Sequence, residues 1–509
     1  MFELMTENDD SISLTCYRWL LAVIVLAGLV LRLHRLGDRG FWMDEINLWI
    51  SCFSSYRSAG TGPLPPVIYG GFMRLVRNSD AFVFHLPSVF FGTLFIPAMA
   101  LLAAAISGRR AGLFAAFLSA ISPMAIYYSQ EARPYAVMLV LCTLSYLSFI
   151  RGYIKGEPRW GWVFFLSLFA GFTNHALTSH VVGGLAIYLG LQGLRTALTD
   201  KKTNDYLVIC FASMAGLLWL WTRFLPLNDF GGFYRLPLWE YAQSIGYALG
   251  PVARTSTGHD GRALETFAAL AYFAAVAFGW LTVRKIRPGV EGAFACVMAL
   301  SLAILYVTLG ERTFWPWSRY LCQILPVYVV LAAVGFARVG GNKRKTQAAA
   351  AVAAFAIVYP GLRFWHAHQT FNRSETAIVQ ATALARAGQR LNGAILIPNG
   401  NSDPLWDVAA VAIYRRDAIP TYYAGNESQL RLAQPYTWER GLPVFPAVNP
   451  PSADPLPAGY YALLSTEGLV ARPDCKNVSA FMNVQACEES EPVVVDGWPI
   501  PVAKINRPG

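Results

Sequence analysis

The chain of 509 residues is 55% hydrophobic and only 14% charged, and it carries 15 Trp, 24 Tyr and 31 Phe. Soluble domains hold about 25% charged residues, so this composition excludes a wholly soluble protein and indicates a polytopic membrane protein with a soluble part attached. The formal charge of +10 lies in the apolar part: residues 1–365 carry 30 Lys+Arg against 18 Asp+Glu, while residues 366–509 carry 11 against 13. Basic residues so placed orient membrane loops or bind anions there, and nucleic acid falls away as a partner.

Apolar runs able to cross roughly 30 Å of hydrocarbon, about 20 residues each, occur at 15–34, 81–106, 111–127, 134–150, 161–178, 180–195, 206–225, 265–283, 292–309, 320–337 and 347–365. They predict an all-α polytopic membrane domain of about 11 transmembrane helices over residues 1–365. The first run is expected to persist as a helix, because Glu3, Glu7, Asp9 and Asp10 give it an acidic flank unlike that of a cleaved signal peptide. Lysine sets the orientation. With the N-terminus in the cytoplasm, Lys155, Lys201, Lys202, Lys285, Lys343 and Lys345 all fall in cytoplasmic loops, joined by arginines such as Arg109, Arg110, Arg151, Arg159 and Arg287. The opposite loops contain arginine but no lysine, and the odd number of spans places residues 366–509 outside the cytoplasm.

Residues 366–509 have a different texture. Prolines at 443, 446, 450, 451, 455 and 457 separate short strand-like runs at 394–397, 460–464 and 493–495, and a helix is expected over 375–391. A small extracytoplasmic α/β domain is the expected result. Six of the eight cysteines lie in or beside apolar spans, where a thiol is a small hydrophobe. Cys475 and Cys487 lie in the soluble part and are disulfide candidates in an oxidising compartment, with two free thiols as the alternative. No zinc spacing, Walker loop, dinucleotide fingerprint or internal repeat is present.

The ionisable residues of the outer loops carry the chemistry. After the first span, the segment from Arg32 to Glu45 ends in the adjacent acids Asp44 and Glu45. Adjacent carboxylates at a membrane surface need cations, a metal or water; a helix N-terminus, whose dipole favours acids, is the plainer reading. Between the third and fourth spans, residues 122–135 contain Tyr127, Tyr128, Gln130, Glu131 and Arg133, with Pro134 suited to the first turn of the following helix. A guanidinium can hold a phosphate through two parallel hydrogen bonds, which favours Arg133. Interfacial anchoring is the more usual role of tyrosines at that depth, and contact with lipid headgroups is the alternative for the outer arginines. His175 ends the fifth span, and Arg312, Arg319 and Tyr320 precede the tenth, all on the side of Asp44. For His175 a packing role is the plainer reading.

These residues also carry a resemblance. The Asp44-Glu45 loop resembles that of membrane glycosyltransferases of the C-type fold (GT-C), the group containing protein O-mannosyltransferases and bacterial lipid A aminoarabinose transferases. The similarity runs through Pro65-Pro66-Val67-Ile68-Tyr69 and His85-Leu86-Pro87-Ser88, where His85 stands at a position commonly arginine, and on through the Tyr-Tyr-Ser-Gln-Glu-Ala-Arg-Pro-Tyr segment ending at Tyr135, Thr173-Asn174-His175 and Arg319-Tyr320. It covers roughly residues 20–335 in consistent order, and the bacterial branch that includes rhizobial galacturonosyltransferases acting on lipopolysaccharide is the most similar.

The resemblance implies transfer of a sugar from a polyprenyl-phosphate donor to an acceptor hydroxyl of a glycolipid, polysaccharide or protein, with inversion, at the outer face of a bacterial cytoplasmic membrane. Asp44 is then the candidate base, with Glu45 positioning the acceptor or exchanging roles with it. Arg133 and Arg319 are the first candidates for holding the lipid phosphate, and His175 and Arg312 the second; Glu131, Tyr128, Tyr320 and His85 complete the candidate site. No cofactor is required, although a divalent metal could share the work on Asp44, Glu45 and Glu131. A flippase for polyprenyl-linked sugars and a non-catalytic envelope scaffold are the alternative readings. A flippase predicts charges in mid-helix and repeat symmetry, and a scaffold gives no reason for acids and arginines to gather on one face.

Overall fold

The structure is a computed structural model, and it describes residues 12–34, 36, 45, 48–49, 51–52, 61–77, 81–196, 262–308 and 320–339, together with six strands between 394 and 505. The chain divides into two compact units. The first comprises Met1–Leu36, Ala59–Ile68 and His85–Gln369, and the second Gly37–Ser58, Tyr69–Phe84 and Thr370–Gly509.

The described helices are α1 (Leu14–Leu33), α2 (Leu64–Val76), α3 (Ala81–Ile121), α4 (Pro123–Ser129), α5 (Tyr135–Phe149), α6 (Trp160–Asn174), α7 (Thr178–Thr196), α8 (Arg262–Ile286), α9 (Val290–Thr308) and α10 (Leu325–Val339). Among the described residues, three helical stretches are long and apolar enough to cross a membrane, Leu14–Leu33, Phe82–Ile121 and Tyr135–Ile154, with shorter apolar helices at Val290–Ile304 and Leu325–Arg338. The expected spans at 206–225 and 347–365 lie outside the described residues.

Local chemistry explains where these helices begin and bend. Ser13 caps α1 by accepting from the Cys16 N–H at 3.2 Å. The expected spans 81–106 and 111–127 form one helical run broken at Ser107 and Gly108. Gly108 adopts φ +82°, which a side chain would resist. The run restarts at Pro123, capped by the Ser122 hydroxyl. α10 begins five residues later than its apolar run, because residues 320–324 form turns.

The surface of the first unit is apolar where hydrocarbon would meet it. On α1, Trp19, Val23, Leu26 and Val30 form an exposed stripe, while Tyr17, Gly28 and Arg32 are buried. The helices approach closely through small residues. A Cβ on Gly279 of α8 would strike the Leu331 carbonyl oxygen of α10, and one on Gly335 would strike the Ala275 carbonyl oxygen. Gly184 of α7 lies against the Val297 backbone of α9 in the same way. Such contacts let backbones pack where there is no hydrophobic force between helices in lipid. The Ser145 and Ser167 hydroxyls join α5 to α6 at 2.9 Å.

In the second unit Glu45, Leu48, Trp49 and Cys52 are buried. Arg74 donates to the Cys52 carbonyl at 3.0 Å, and Tyr69 meets the edge of Phe84 at 5.5 Å. Burial pushes the Cys52 thiol up, with Arg74 and the Gly70 backbone opposing, so it stays a neutral packing group. The strands are β1 (Ala394–Ile397), β2 (Thr421–Tyr423), β3 (Val444–Pro446), β4 (Gly459–Leu463), β5 (Cys487–Val495) and β6 (Trp498–Ile505), in the order β3-β2-β1-β4-β6-β5. β1 to β4 pair in parallel, whereas β6 runs antiparallel to both β4 and β5. The strand-like runs at 394–397, 460–464 and 493–495 thus fall on β1, β4 and β5. The helix expected at 375–391 lies outside the described residues.

Candidate active site

α3 ends at Ile121, and the carbonyls of its last turn have no partner within the helix. Arg32, in the last turn of α1, supplies them. Its Nη2 donates to the Ser119 carbonyl at 3.0 Å, its Nη1 to the carbonyls of Ala120 at 3.0 Å and Gly28 at 2.9 Å, and its Nε to the Ser129 hydroxyl at 3.1 Å. The guanidinium is wholly buried, and its partners are all neutral. The negative end of the α3 dipole favours a cation there. From the other direction, the Gln130 side chain donates to the carbonyls of Arg32 at 3.1 Å and His34 at 3.0 Å. The end of α1, from which the Asp44-Glu45 loop departs, is therefore fastened to the segment holding Glu131 and Arg133.

That segment, between α4 and α5, is itself pinned by backbone-directed contacts. The Glu131 carbonyl accepts from the Arg133 N–H at 2.9 Å and from the Ser88 hydroxyl of α3. Asn174, at the end of α6, donates to the Pro134 carbonyl at 2.9 Å. The Asn174 carbonyl accepts from the Gly62 N–H at 3.0 Å, and Thr61 bridges His175 in antiparallel fashion. Gly62 is required there, since a Cβ would collide with the Thr173 carbonyl. The run leading into the Pro65-Pro66 helix is thus laid beside His175.

The side chains gathered in this way are Tyr128, Glu131, Arg133, Tyr135 and His175, all buried. The Arg133 guanidinium lies over the Tyr135 ring, 5.6 Å from its centre. Tyr135 packs against Tyr128 at 5.0 Å and against the His175 ring at 5.4 Å. His175 Nδ1 accepts from the Leu177 N–H at 3.1 Å, which places the proton of the neutral ring on Nε2. His85 is fully buried one helical turn before Ser88, on the α3 face that meets the Glu131 segment. Tyr320 opens the turn before α10, where Cys322 lies within electrostatic range of Glu131. That turn is held by the Tyr146 hydroxyl, which donates to the Gln323 carbonyl at 2.8 Å, and by the Gln323 amide and His180 Nδ1 at 3.1 Å.

Of the candidates, Tyr128, Glu131, Arg133 and His175 are brought together here, whereas Arg32, Ser88, Asn174, His180 and Gln323 carry no motif that marks them in the sequence. Arg32, Ser88 and Asn174 act on backbone carbonyls distant in sequence, and His180 and Gln323 meet each other across 143 residues, pairings for which no motif exists. The signal available was a polar side chain at the end of an apolar run. Glu45 is buried in the second unit; Asp44, Arg312, Arg319 and Cys475 lie outside the described residues, as does the side chain of Cys487. Among the described residues no three His, Cys, Asp or Glu side chains converge as metal ligands. Glu131 alone of the acids considered for a metal is described within the first unit.

Residues 60–221 match the sequence model of the dolichyl-phosphate-mannose-protein mannosyltransferase family. No curated protein matches the chain significantly by sequence. By fold, it is similar to ArnT from Cupriavidus metallidurans in the apo state, with a TM-score of 0.59 and 12% identity over 96% of this chain and 98% of that one. The same protein bound to undecaprenyl phosphate matches with a TM-score of 0.56 and 13% identity over 97% and 99%. Archaeal oligosaccharyltransferase AglB from Archaeoglobus fulgidus, in complex with an inhibitory peptide and a dolichol-phosphate, matches with a TM-score of 0.50 and 10% identity over 88% of this chain and 69% of that one. The fold is therefore GT-C, and the chain is a membrane protein. The resemblance read from its motifs is met by a family model and by tertiary structure.

Proposed function

We propose that this protein is an inverting glycosyltransferase that moves a sugar from a polyprenyl-phosphate donor to an acceptor hydroxyl at the outer face of a bacterial cytoplasmic membrane. The observation that carries the reading is the pinned Gln130–Pro134 segment, which holds a buried arginine and a buried carboxylate among tyrosines and a histidine. Support comes from the neighbouring structures, one bound to undecaprenyl phosphate and one in complex with a dolichol-phosphate. The acceptors in view are a glycolipid, a polysaccharide or a protein.

In the proposed reaction the acceptor oxygen attacks the anomeric carbon, and the bond from that carbon to the phosphate oxygen breaks with its electron pair leaving on the phosphate. The proton of the acceptor hydroxyl passes to Asp44, because a hydroxyl at neutral pH is a weak nucleophile without a base. Glu45 positions the acceptor. Negative charge grows on the lipid phosphate as the bond breaks, so Arg133 and Arg319 stabilise the transition state more than the ground state. His175, donating from Nε2, and Arg312 assist them. Asn174 Oδ1, buried and with no donor among the described residues, is placed to accept from a substrate hydroxyl. A divalent metal, where bound, would supply charge neutralisation at the phosphate, and every step above proceeds through side chains.

Transport is the weaker reading, because Arg32, Glu131, Arg133 and His175 lie at helix ends or between helices, not in mid-span. Purified protein supplied with a polyprenyl-phosphate sugar and envelope glycolipid decides the matter. Asp44→Asn should abolish transfer while donor binding persists, and wild-type turnover would overturn the assignment of the base. Arg133→Ala should weaken donor binding and slow transfer; unchanged affinity and rate would remove it from the phosphate site.

A further inference from the structure

At the end of α5 opposite the candidate site, the helix widens into a π-helical turn, Ile150–Ile154, which leads through Lys155 into α6. Four cations gather where this turn meets the α8–α9 connection: Arg151, Lys155, Arg159 and Arg287. Among the described residues the nearby acids, Glu157 and Glu291, are both engaged. Glu157 pairs with Arg151 at 3.4 Å and with Arg159 at 3.6 Å, and Glu291 accepts from the Gly289 N–H at 2.9 Å. Arg151 is buried and stacked on Trp160 at 5.1 Å. Lys155 and Arg287 remain. Both are partly buried, they lie within electrostatic range of each other, and among the described residues neither makes a side-chain ion pair.

A lysine that only marks topology would stand out in water, where like charges are screened. Here two cations share a half-buried place, an arrangement that an anion between them would relieve. Burial first, then Arg287 and Arg151, hold the Lys155 ammonium below the usual lysine range, against the opposing pull of Glu157. The exposed face of α6, the helix that follows Lys155 in the chain, is apolar. Trp162, Phe165, Leu166 and Phe169 are exposed along α6 at helical spacing, with Trp162 the most open at 73%. An aromatic residue at the boundary followed by an apolar track suits an acyl chain below a headgroup.

We propose that Lys155 and Arg287 form a binding site for the phosphate of an anionic phospholipid, whose acyl chain lies along Trp162, Phe165, Leu166 and Phe169. The site is separate from the candidate active site and does not depend on the reaction. Removing each cation should weaken the lipid about fivefold, as expected for roughly 1 kcal/mol per basic residue near an anionic surface.

The test reconstitutes the full chain in nanodiscs of phosphatidylcholine with a minor fraction of phosphatidylglycerol, and measures phosphatidylglycerol retained on the protein by native mass spectrometry. Lys155→Gln with Arg287→Gln should reduce retention about 25-fold, the product of two fivefold effects. Lys285→Gln, which removes an exposed charge from the last turn of α8, should leave it unchanged. Equal losses in both would reduce the effect to general surface charge and overturn the site. Lys155→Arg with Arg287→Lys keeps both charges and should keep the lipid; a loss as great as that of the neutral pair would assign the effect to altered folding and also overturn it. Millimolar inorganic phosphate should not displace the lipid. Displacement would make free phosphate the ligand and refute the lipid assignment.

Discussion

Replacing Arg32 by leucine should destabilise the membrane unit, and the size of the effect follows from what the guanidinium holds. The Gly28 carbonyl lies four residues back in α1 and is served by the helix itself, so its loss matters little. The Ser119 and Ala120 carbonyls end α3 and have no other helical donor. A buried carbonyl left without a donor costs about 1–3 kcal/mol, so the pair represents about 2–6 kcal/mol. Part of this returns because an ion no longer has to be buried, leaving a net loss of about 2–4 kcal/mol. Arg32→Lys keeps the charge at the α3 terminus but cannot reach both carbonyls and the Ser129 hydroxyl with one nitrogen, so about half the loss is expected. Cys142 and Cys322 are buried free thiols that become reactive on unfolding. A thiol-reactive fluorophore followed during a thermal ramp in detergent should therefore report a midpoint several degrees lower for Arg32→Leu and an intermediate one for Arg32→Lys. A leucine variant that unfolds at the wild-type temperature would refute the capping role.

Asn174→Ala removes the donor to the Pro134 carbonyl and should cost about 1–2 kcal/mol. Because that bond fixes the Glu131–Arg133 segment, turnover with a polyprenyl-phosphate sugar should fall at least tenfold with little change in helix content by circular dichroism; full activity would show that the bond does not position the site. Gly335→Val would drive a side chain into the Ala275 backbone and separate α8 from α10, so loss of monodisperse protein on size exclusion is expected. Lys155 gives a pH dependence. Its folded value is lowered from the ordinary 10.5, so in the window just below 10.5 the unfolded chain binds more protons and stability should rise with pH. Lys155→Met should flatten that rise in thermal unfolding measured without anionic lipid, and an unchanged slope would refute it.

Much of the helical part was legible in the sequence, because a span must be apolar for about 20 residues whatever it packs against. The runs at 15–34, 134–150, 161–178, 180–195, 265–283 and 292–309 lie on α1 and α5 to α9 within a few residues. The α10 run begins too early because residues 320–324, apolar but for Gln323, are held in turns by the Tyr146 and His180 contacts to Gln323, which the local pattern does not encode. The break at Ser107-Gly108 was foreshadowed by Arg109-Arg110, whose charges belong at a membrane boundary.

For the site, the sequence by itself determined which ionisable residues end the spans on one side, since charges are excluded from hydrocarbon. Glu131, Arg133 and His175 are placed at span ends by that exclusion alone. Only the tertiary structure decided that Tyr128, Tyr135 and His175 pack around the Glu131–Arg133 segment, and that Ser88, Asn174, Gln130 and Arg32 hold it in place. The physical reason is that these supports bond to backbone carbonyls 40–98 residues away, Arg32 through those of Ser119 and Ala120. Every residue offers the same carbonyl, so the choice of partner is set by which helix ends the packing of small residues brings together, and not by any side-chain pattern along the chain.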